Sequence, residues 1–286
     1  MRTLKLQTPH MRGSDVTDWQ NFLITKGLLA SGTADGDFGK DTSAATRGYQ
    51  TSAGLGADGV VGPLTYHSAV RDGLTSSTRP LTLGMDASSN CTTRTACILA
   101  EKITFVMRYY SRSASKRVTL AEARAISGAG LNIGVVYQDR QDRLEDFTAA
   151  KGRNAANEAL AQASALGQPS GSAIYFAADF NPSSEEAQGP VAEYFQAVND
   201  VFRSAGAGIS YRVGVYGSGL TCRLMRDSSL AAFAWLSQST GFREHALFRP
   251  RAHLLQIAPS RKICSGKLAI DDNVGQTADL GTFRLP

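Results

Sequence analysis

At 286 residues the chain is long enough to bury a sizeable core in one large domain, or one large and one small, and is neither a peptide nor a bare linker. Apolar residues make up 42% and charged residues 19%, which excludes disorder over most of the length, and no apolar run approaches the roughly 18 residues of a membrane-spanning helix. The formal charge of +5 favours anionic partners, but no basic run of the nucleic-acid-binding kind accompanies it, so neither nucleic acid nor membrane insertion is expected.

The opening MRTLKLQTPHMRG lacks the apolar core of a secretory signal, so no signal peptide is expected. Residues 1–74 then read as a small helical domain. Val16, Trp19, Gln20 and Leu23 follow helical spacing, as do Ala45, Tyr49 and Gln50, and a Gly-Leu step follows each run. The segment DGDFGKDT at 35–42 is echoed by DGVVGPLT at 58–65. Each copy predicts a tight turn, its Asp-Gly step supplying the positive φ that glycine adopts without strain, then a helix start with Thr42 or Thr65 in its first turn or cap. This order resembles the type 1 peptidoglycan-binding domain, a three-helix module of bacterial and phage cell-wall enzymes, over roughly residues 3–71. Tyr49 stands where that family usually has Phe. The resemblance implies bacterial peptidoglycan as the partner. A saccharide–peptide ligand needs an aromatic platform with amide and carboxylate hydrogen bonders near the turns, which makes Asp37, Phe38, Tyr49 and Asp58 the candidates. The competing expectation is that Trp19, Phe38 and Tyr49 are mainly core.

The polar segment TSSTRP at 75–80 reads as a linker, and residues 81–286 as a second domain. There β-rich runs at 81–86, 103–109, 131–137, 173–179, 211–217, 231–237, 252–257 and 267–272 alternate with helical stretches. The clearest helices are 119–129, where Thr119 and Glu122 form a capping box, 143–166 and 186–204. Continuous apolar strands joined by helices predict an α/β fold with a parallel sheet closed as a (β/α)8 barrel, preceded by the small all-α domain. An open doubly wound sheet is the alternative, but GAGLNIG at 128–134 follows a helix and opens a strand, the wrong context for a dinucleotide loop.

Barrel enzymes place their chemistry at strand C-terminal ends. Here those ends carry Asp86, Arg108 and Tyr109, Tyr137 and Gln138, Asp179, Tyr216, Gln238, Gln256, and Asp271 with Asp272. No strand end offers a histidine, a serine with a base, or a cysteine, and YGSGL at 216–220 has Tyr216 where a nucleophile elbow needs its first glycine. Carboxylates ringed by Tyr, Gln, Arg and Trp235 suit glycosidic bond cleavage, which needs one protonated acid, negative charge for an oxocarbenium-like state, and amides and rings to hold sugars. The histidines (His10, His67, His245, His253) have no metal-ligand spacing, so neither metal nor cofactor is expected. The four cysteines are expected to be small packing residues; the alternative is a Cys91–Cys97 bridge if the protein meets an oxidising compartment.

The second domain resembles the family long labelled domain of unknown function 1906, a glycoside-hydrolase-like barrel related to the glycoside hydrolase family 25 lysozymes. The resemblance spans about 82–285 and rests on GMDASSN at 84–90, FVMRYY at 105–110, IYFAADFNPS at 174–183, YRVGVYGSGLTC at 211–222, AWLSQSTG at 234–241 and AIDDNVG at 269–275. It implies that Asp86 and Asp271 match the lysozymes' first- and eighth-strand aspartates, and that Asp179 falls where their fourth-strand D-x-E motif has its proton-donating glutamate. Ala177 occupies the place of that motif's aspartate. The expected scheme keeps Asp179 as general acid, with charge at the anomeric carbon met by Asp86, Asp271 or, in first rank, the substrate's own 2-acetamido group. Tyr137, Gln138, Tyr175, Arg108, Tyr216, Trp235, Gln238 and Gln256 are the candidate substrate-binding residues. The resulting expectation is a monomeric peptidoglycan hydrolase. It acts as a muramidase, with N-acetylglucosaminidase cleavage the other bond, in a phage endolysin that stays in the host cytoplasm until the membrane is opened. A wall-binding scaffold with a degenerate barrel is the alternative.

Overall fold

A computed structural model describes residues 2–206 and 210–286. The N-terminal helices are α1 (Ser14–Thr25), α2 (Lys40–Ser52) and α3 (Pro63–Arg71). The sequence repeat between them is a repeat of hydrogen bonding. Gln20 on α1 donates through Nε2 to Asp35 Oδ1 (2.8 Å), the Asp37 carbonyl (3.0 Å) and Thr42 Oγ1 (3.0 Å), and its Oε1 accepts the Gly36 N–H (2.8 Å). Gln50 on α2 repeats the pattern with Asp58 (2.7 Å), the Val60 carbonyl (3.0 Å), Thr65 (3.1 Å) and the Gly59 N–H (2.8 Å). Gly36 and Gly59 take φ of 72° and 75°, so the turns need the glycine that the Asp-Gly steps supply. Each buried glutamine locks the turn that launches the next helix.

Eight strands close into a barrel in chain order. They are β1 (Thr82–Asp86), β2 (Phe105–Tyr110), β3 (Asn132–Tyr137), β4 (Ala173–Ala178), β5 (Arg212–Gly217), β6 (Phe233–Leu236), β7 (Leu254–Ile263) and β8 (Leu268–Gly275). Around them lie α4 (Thr95–Ala100), α5 (Leu120–Gly128), α6 (Ala149–Leu166), α7 (Ser184–Glu186), α8 (Ala192–Ser204), α9 (Gly219–Asp227) and α10 (His245–Phe248). This is the TIM-like barrel preceded by helices that the patterning predicts, with one difference. Strands β1 to β7 run parallel to one another around the barrel, whereas β8 is antiparallel to both β7 and β1. A turn at 264–267 replaces the helical crossover. Asp271 therefore lies mid-strand, paired with Asp86 at the end of β1, and still reaches the barrel mouth.

The capping box at α5 is half-formed. Thr119 Oγ1 accepts the Glu122 N–H (3.2 Å), but the Glu122 carboxylate turns away to Arg108. Side chains alternate along each strand. Phe105, Met107, Val136, Ala173, Tyr175, Ala177, Phe233, Trp235 and Leu254 fill the barrel interior, while Val106, Ile133, Ile174, Val215 and Val274 join the layer under the helices. Position 84 faces inward, and it is glycine because a Cβ there would collide with the Phe105 ring.

The disulfide differs from expectation. Cys97 on α4 bridges Cys264 in the β7–β8 turn, with Cα atoms 5.5 Å apart, and Cys91 and Cys222 are buried free thiols. Cys91 is held away from Cys97 because its backbone N–H donates to Glu122 Oε1 (2.7 Å) in the core. Helix α3 packs on β1, β7 and β8. There His67 Nε2 lies 3.6 Å from Asp272 Oδ1, and Arg261 holds the same carboxylate at 2.6 and 2.9 Å. The 75–80 segment is tied on both sides: Ser77 N–H donates to Asp18 (3.1 Å) and Arg79 Nη1 to the Pro250 carbonyl (2.8 Å).

Candidate active site

A cavity of about 240 Å³ opens at the barrel mouth, lined by Tyr109, Val136, Gln138, Asp179, Tyr216, Trp235, Gln238, Ser239, Gln256 and Asp271. Strands β2 to β6 contribute residues at or just beyond their C-terminal ends, and β7 and β8 contribute Gln256 and Asp271 from within the strand, so segments far apart in sequence converge on one polar pocket. Asp179 follows β4, its backbone N–H held by the Gln141 carbonyl (2.8 Å) and its Oδ2 accepting from Gln138 Nε2 (3.3 Å). Burial raises its pKa; the Gln138 amide and the Lys116 ammonium oppose the rise without cancelling it.

Gln256 organises the opposite wall. Its Oε1 accepts from Tyr216 OH (2.9 Å) and the Gln238 N–H (3.2 Å), which fixes the amide so that Nε2 donates to Asp86 Oδ2 (3.0 Å) and Asp271 Oδ2 (3.2 Å). Asp86 is 2% exposed and also accepts from Asn273 Nδ2 (2.8 Å) and Tyr109 OH (3.1 Å). Burial first, and the Asp271 charge second, push the Asp86 pKa up to about 7 despite those three donors. Asp271 keeps Oδ1 buried and without a hydrogen-bond partner. An unpaired buried carboxylate oxygen is costly, and a ligand N–H or O–H would relieve it.

The expected site residues sort by strand face and depth. Asp179, Asp271, Gln138, Tyr216, Trp235, Gln238 and Gln256 line the cavity. Asp86 lies behind this lining, enclosed by its donors. Trp235 is 1% exposed, its Nε1 donating to Asn273 Oδ1 (2.8 Å) and its ring 4.7 Å from that of Tyr216, so it forms the floor of the pocket rather than a stacking platform.

Three expectations are corrected. Arg108 points outward from β2 and is fully buried, pairing with Glu122 (2.7 and 3.2 Å) and the Ala87 carbonyl. Glu122 also receives the Cys91 N–H and Asn90 Nδ2, so this pair braces the loop that follows Asp86. Tyr137 points outward from β3, its OH donating to Glu158 (2.7 Å) with Asp139 Oδ2 3.1 Å away. Tyr175 faces inward but too deep, its OH bonded to the Leu280 carbonyl (2.9 Å).

In the helical domain, Phe38 and Tyr49 are buried core; Tyr49 packs edge-on against Phe22 and Trp19, at 5.0 and 5.7 Å. They offer no exposed platform. Asp58 closes its turn through Gln50, and Asp37 pairs with His10 (2.7 Å) and Arg12 (2.6 Å) at the rim of a shallow groove of about 920 Å³. The sequence reading placed Tyr109 at a strand end without naming it a candidate, and it missed Asn273, Ser239 and Lys116. Asn273 was the most accessible, standing two positions after Asp271 and hence on the same strand face. Among the described residues no cluster of His, Cys, Asp and Glu could hold a metal ion, and no helix is long and apolar enough to cross a membrane.

Comparison with known proteins agrees with this geometry. Residues 12–67 match the family model described as "Putative peptidoglycan binding domain". The protein YbfG of Bacillus subtilis (strain 168) is 32% identical over 125 residues, 42% of this chain and 17% of YbfG. The Mycobacterium tuberculosis (strain ATCC 25618 / H37Rv) protein named "Putative peptidoglycan hydrolase Rv2525c" is 28% identical over 160 residues, 55% of this chain and 63% of that protein. The chain thus spans less than two thirds of the length of these relatives. The crystal structure of the Tat-secreted protein Rv2525c in complex with HEPES superposes with a TM-score of 0.58 at 25% identity, covering 70% of this chain and 98% of that one. A B. stearothermophilus protein of known structure shares the fold, with a TM-score of 0.52 at 19% identity over 71% of this chain and all of its own. Residues 96–275 match the model described as "Rv2525c-like, glycoside hydrolase-like domain", and the chain belongs to that family.

Proposed function

We propose that the protein is a peptidoglycan hydrolase whose barrel cleaves the glycan strand while the helical domain holds the wall, its groove beside Asp37 being the contact surface. One observation carries this reading: a half-buried carboxyl with a raised pKa, Asp179, shares a small polar cavity with Asp271, whose Oδ1 is buried and unpartnered. Asp179 donates its proton to the glycosidic oxygen as the bond to the anomeric carbon breaks. Ala177 lies on the same strand face two residues earlier and supplies no carboxylate. The substrate's 2-acetamido oxygen therefore closes on the anomeric carbon, while Asp271 Oδ1 accepts the acetamido N–H and orients it. Water then attacks the anomeric carbon, gives its proton to the Asp179 carboxylate and reopens the ring. Asp86, out of reach of substrate, positions Asp271 through their shared Gln256 amide. The bond cut is that of a muramidase, between N-acetylmuramic acid and N-acetylglucosamine.

The place of action is the cell wall. The relative Rv2525c is a Tat-secreted protein; release through a phage-opened membrane is the route proposed here. Ala177 also favours a second reading, a wall-binding scaffold without turnover. Loss of turbidity of purified cell walls separates the two. Wild type clears the suspension and Asp179→Asn slows clearing by about 10²–10⁴-fold. No clearing by wild type at any pH, with wall binding retained, supports the scaffold instead.

A further inference from the structure

The loop between β2 and α5 carries Lys116 to the rim of the barrel cavity. Its Nζ donates to Gln138 Oε1 (2.9 Å) and stands 4.1 Å from the centroid of the Tyr109 ring. Both partners line the cavity, and the far end of the Gln138 amide donates to Asp179. Lys116 is half-buried, yet no carboxylate among the described residues lies within the 4.0 Å of an ion pair. Arg108, Arg223 and Arg261 each hold one, Glu122 at 2.7 Å, Glu244 at 2.6 Å and Asp272 at 2.6 Å, whereas the buried Arg249, away from the cavity, shares with Lys116 the lack of one among the described residues. An ammonium has three donors and Lys116 uses one on Gln138, so it meets part of its desolvation cost with no counter-ion. Burial accordingly lowers its pKa.

The cavity is otherwise acidic, with Asp179 and Asp271 on its walls and Asp86 behind them. An anionic group on a bound sugar would be repelled everywhere except at the Tyr109–Gln138 side, where Lys116 offers a charge-assisted hydrogen bond and the Tyr109 ring a surface beneath it.

We propose that Lys116 is a specificity residue that binds a free carboxylate on the glycan, so that the preferred substrate is a strand whose muramyl lactyl carboxylates carry no peptide. This rests on the reading of the barrel as a wall glycosidase. In peptide-bearing wall the same carboxyl is an uncharged amide, and Lys116 gains nothing from it. The reaction that supplies the substrate is therefore amide hydrolysis at the lactyl group, water adding across the C–N bond to free the carboxylate and the peptide amine.

The test compares kcat/KM on a peptide-free muramyl oligosaccharide, the same oligosaccharide with peptide attached, and a neutral N-acetylglucosamine oligosaccharide of equal length, using wild type, Lys116→Met and Lys116→Arg. Wild type prefers the carboxylated substrate over both others. Lys116→Met lowers the carboxylated-to-neutral ratio about tenfold or more, through KM, and Lys116→Arg restores most of it. A ratio that Lys116→Met leaves unchanged while both rates fall overturns the proposal, since Lys116 then serves only to orient Gln138 and Asp179. Preference of wild type for the peptide-bearing strand overturns it as well. Calorimetric titration of the peptide-free oligosaccharide into wild type and Lys116→Met keeps the two claims apart. If nothing is cleaved, the glycosidase reading fails, while the carboxylate site stands or falls on whether Lys116→Met loses the binding that wild type shows.

Discussion

Asp86→Asn should make the folded protein more stable, and only above a defined pH. The folded chain holds the Asp86 carboxyl at about 7, whereas an unfolded aspartate titrates at about 3.9. Between those values the folded state binds the proton that the unfolded state has released, so wild-type stability falls as pH rises through this window. The accumulated loss is about 4 kcal/mol once pH passes 7, with nothing lost below pH 4. Asparagine removes this penalty and fits the hydrogen bonds already present. Its oxygen can take the Oδ2 position and accept from Gln256 and Asn273, and its NH2 can donate to the Tyr109 hydroxyl, which accepts as readily as it donates. Urea unfolding of wild type and Asp86→Asn at pH 4, 6 and 8 measures the effect. The two should be nearly equal at pH 4, and the variant should exceed wild type by about 3–4 kcal/mol at pH 8, on the order of 10 °C in Tm. A variant less stable than wild type at pH 8, or a gap that does not vary with pH, refutes the claim that Asp86 is a buried carboxyl strained by its surroundings.

Two further outcomes follow from other parts of the fold. Gln50→Ala removes the hub of the second Asp-Gly turn and leaves the Gly59 N–H without its acceptor. It should cost about 2–4 kcal/mol in chemical denaturation, and Gln20→Ala a similar amount at the first turn. Cys97→Ser, which opens the 167-residue link to Cys264, should lower stability by about 2–5 kcal/mol, and mass mapping of thiols should find Cys91 still free.

How far the sequence could be read depended on whether a residue's strand face was marked by its neighbours. The barrel was legible because apolar runs of strand length recur between helical stretches. The Asp-Gly repeat was legible because both turns need glycine at positive φ. Strand parity was not. In FVMRYY both faces of β2 are buried, one by the barrel interior and one by helices, so hydropathy does not alternate and Arg108 looked as accessible as Tyr109. The same ambiguity put Tyr137 in the site, whereas Tyr175 had the right face and the wrong depth. The antiparallel β8 was hidden because Asp271 reaches the mouth from either direction, opposite Asp86. The Cys97–Cys264 bridge joins residues 167 positions apart, a proximity that only the folded barrel creates. Lys116, in a serine-rich loop, carried no local signal; its meaning comes from Gln138 and Tyr109 beneath it.

Everything functional depends on Asp179 delivering a proton to a glycan. Mass spectrometry of purified sacculi after digestion tests this most directly, read for the sugar at each new reducing end and repeated across pH. Wild type should release fragments ending in reducing N-acetylmuramic acid, with yield falling as pH rises through the raised pKa of Asp179, and Asp179→Asn should release almost none. Identical fragments from wild type and Asp179→Asn, or no new reducing ends from wild type at any pH, would contradict the account.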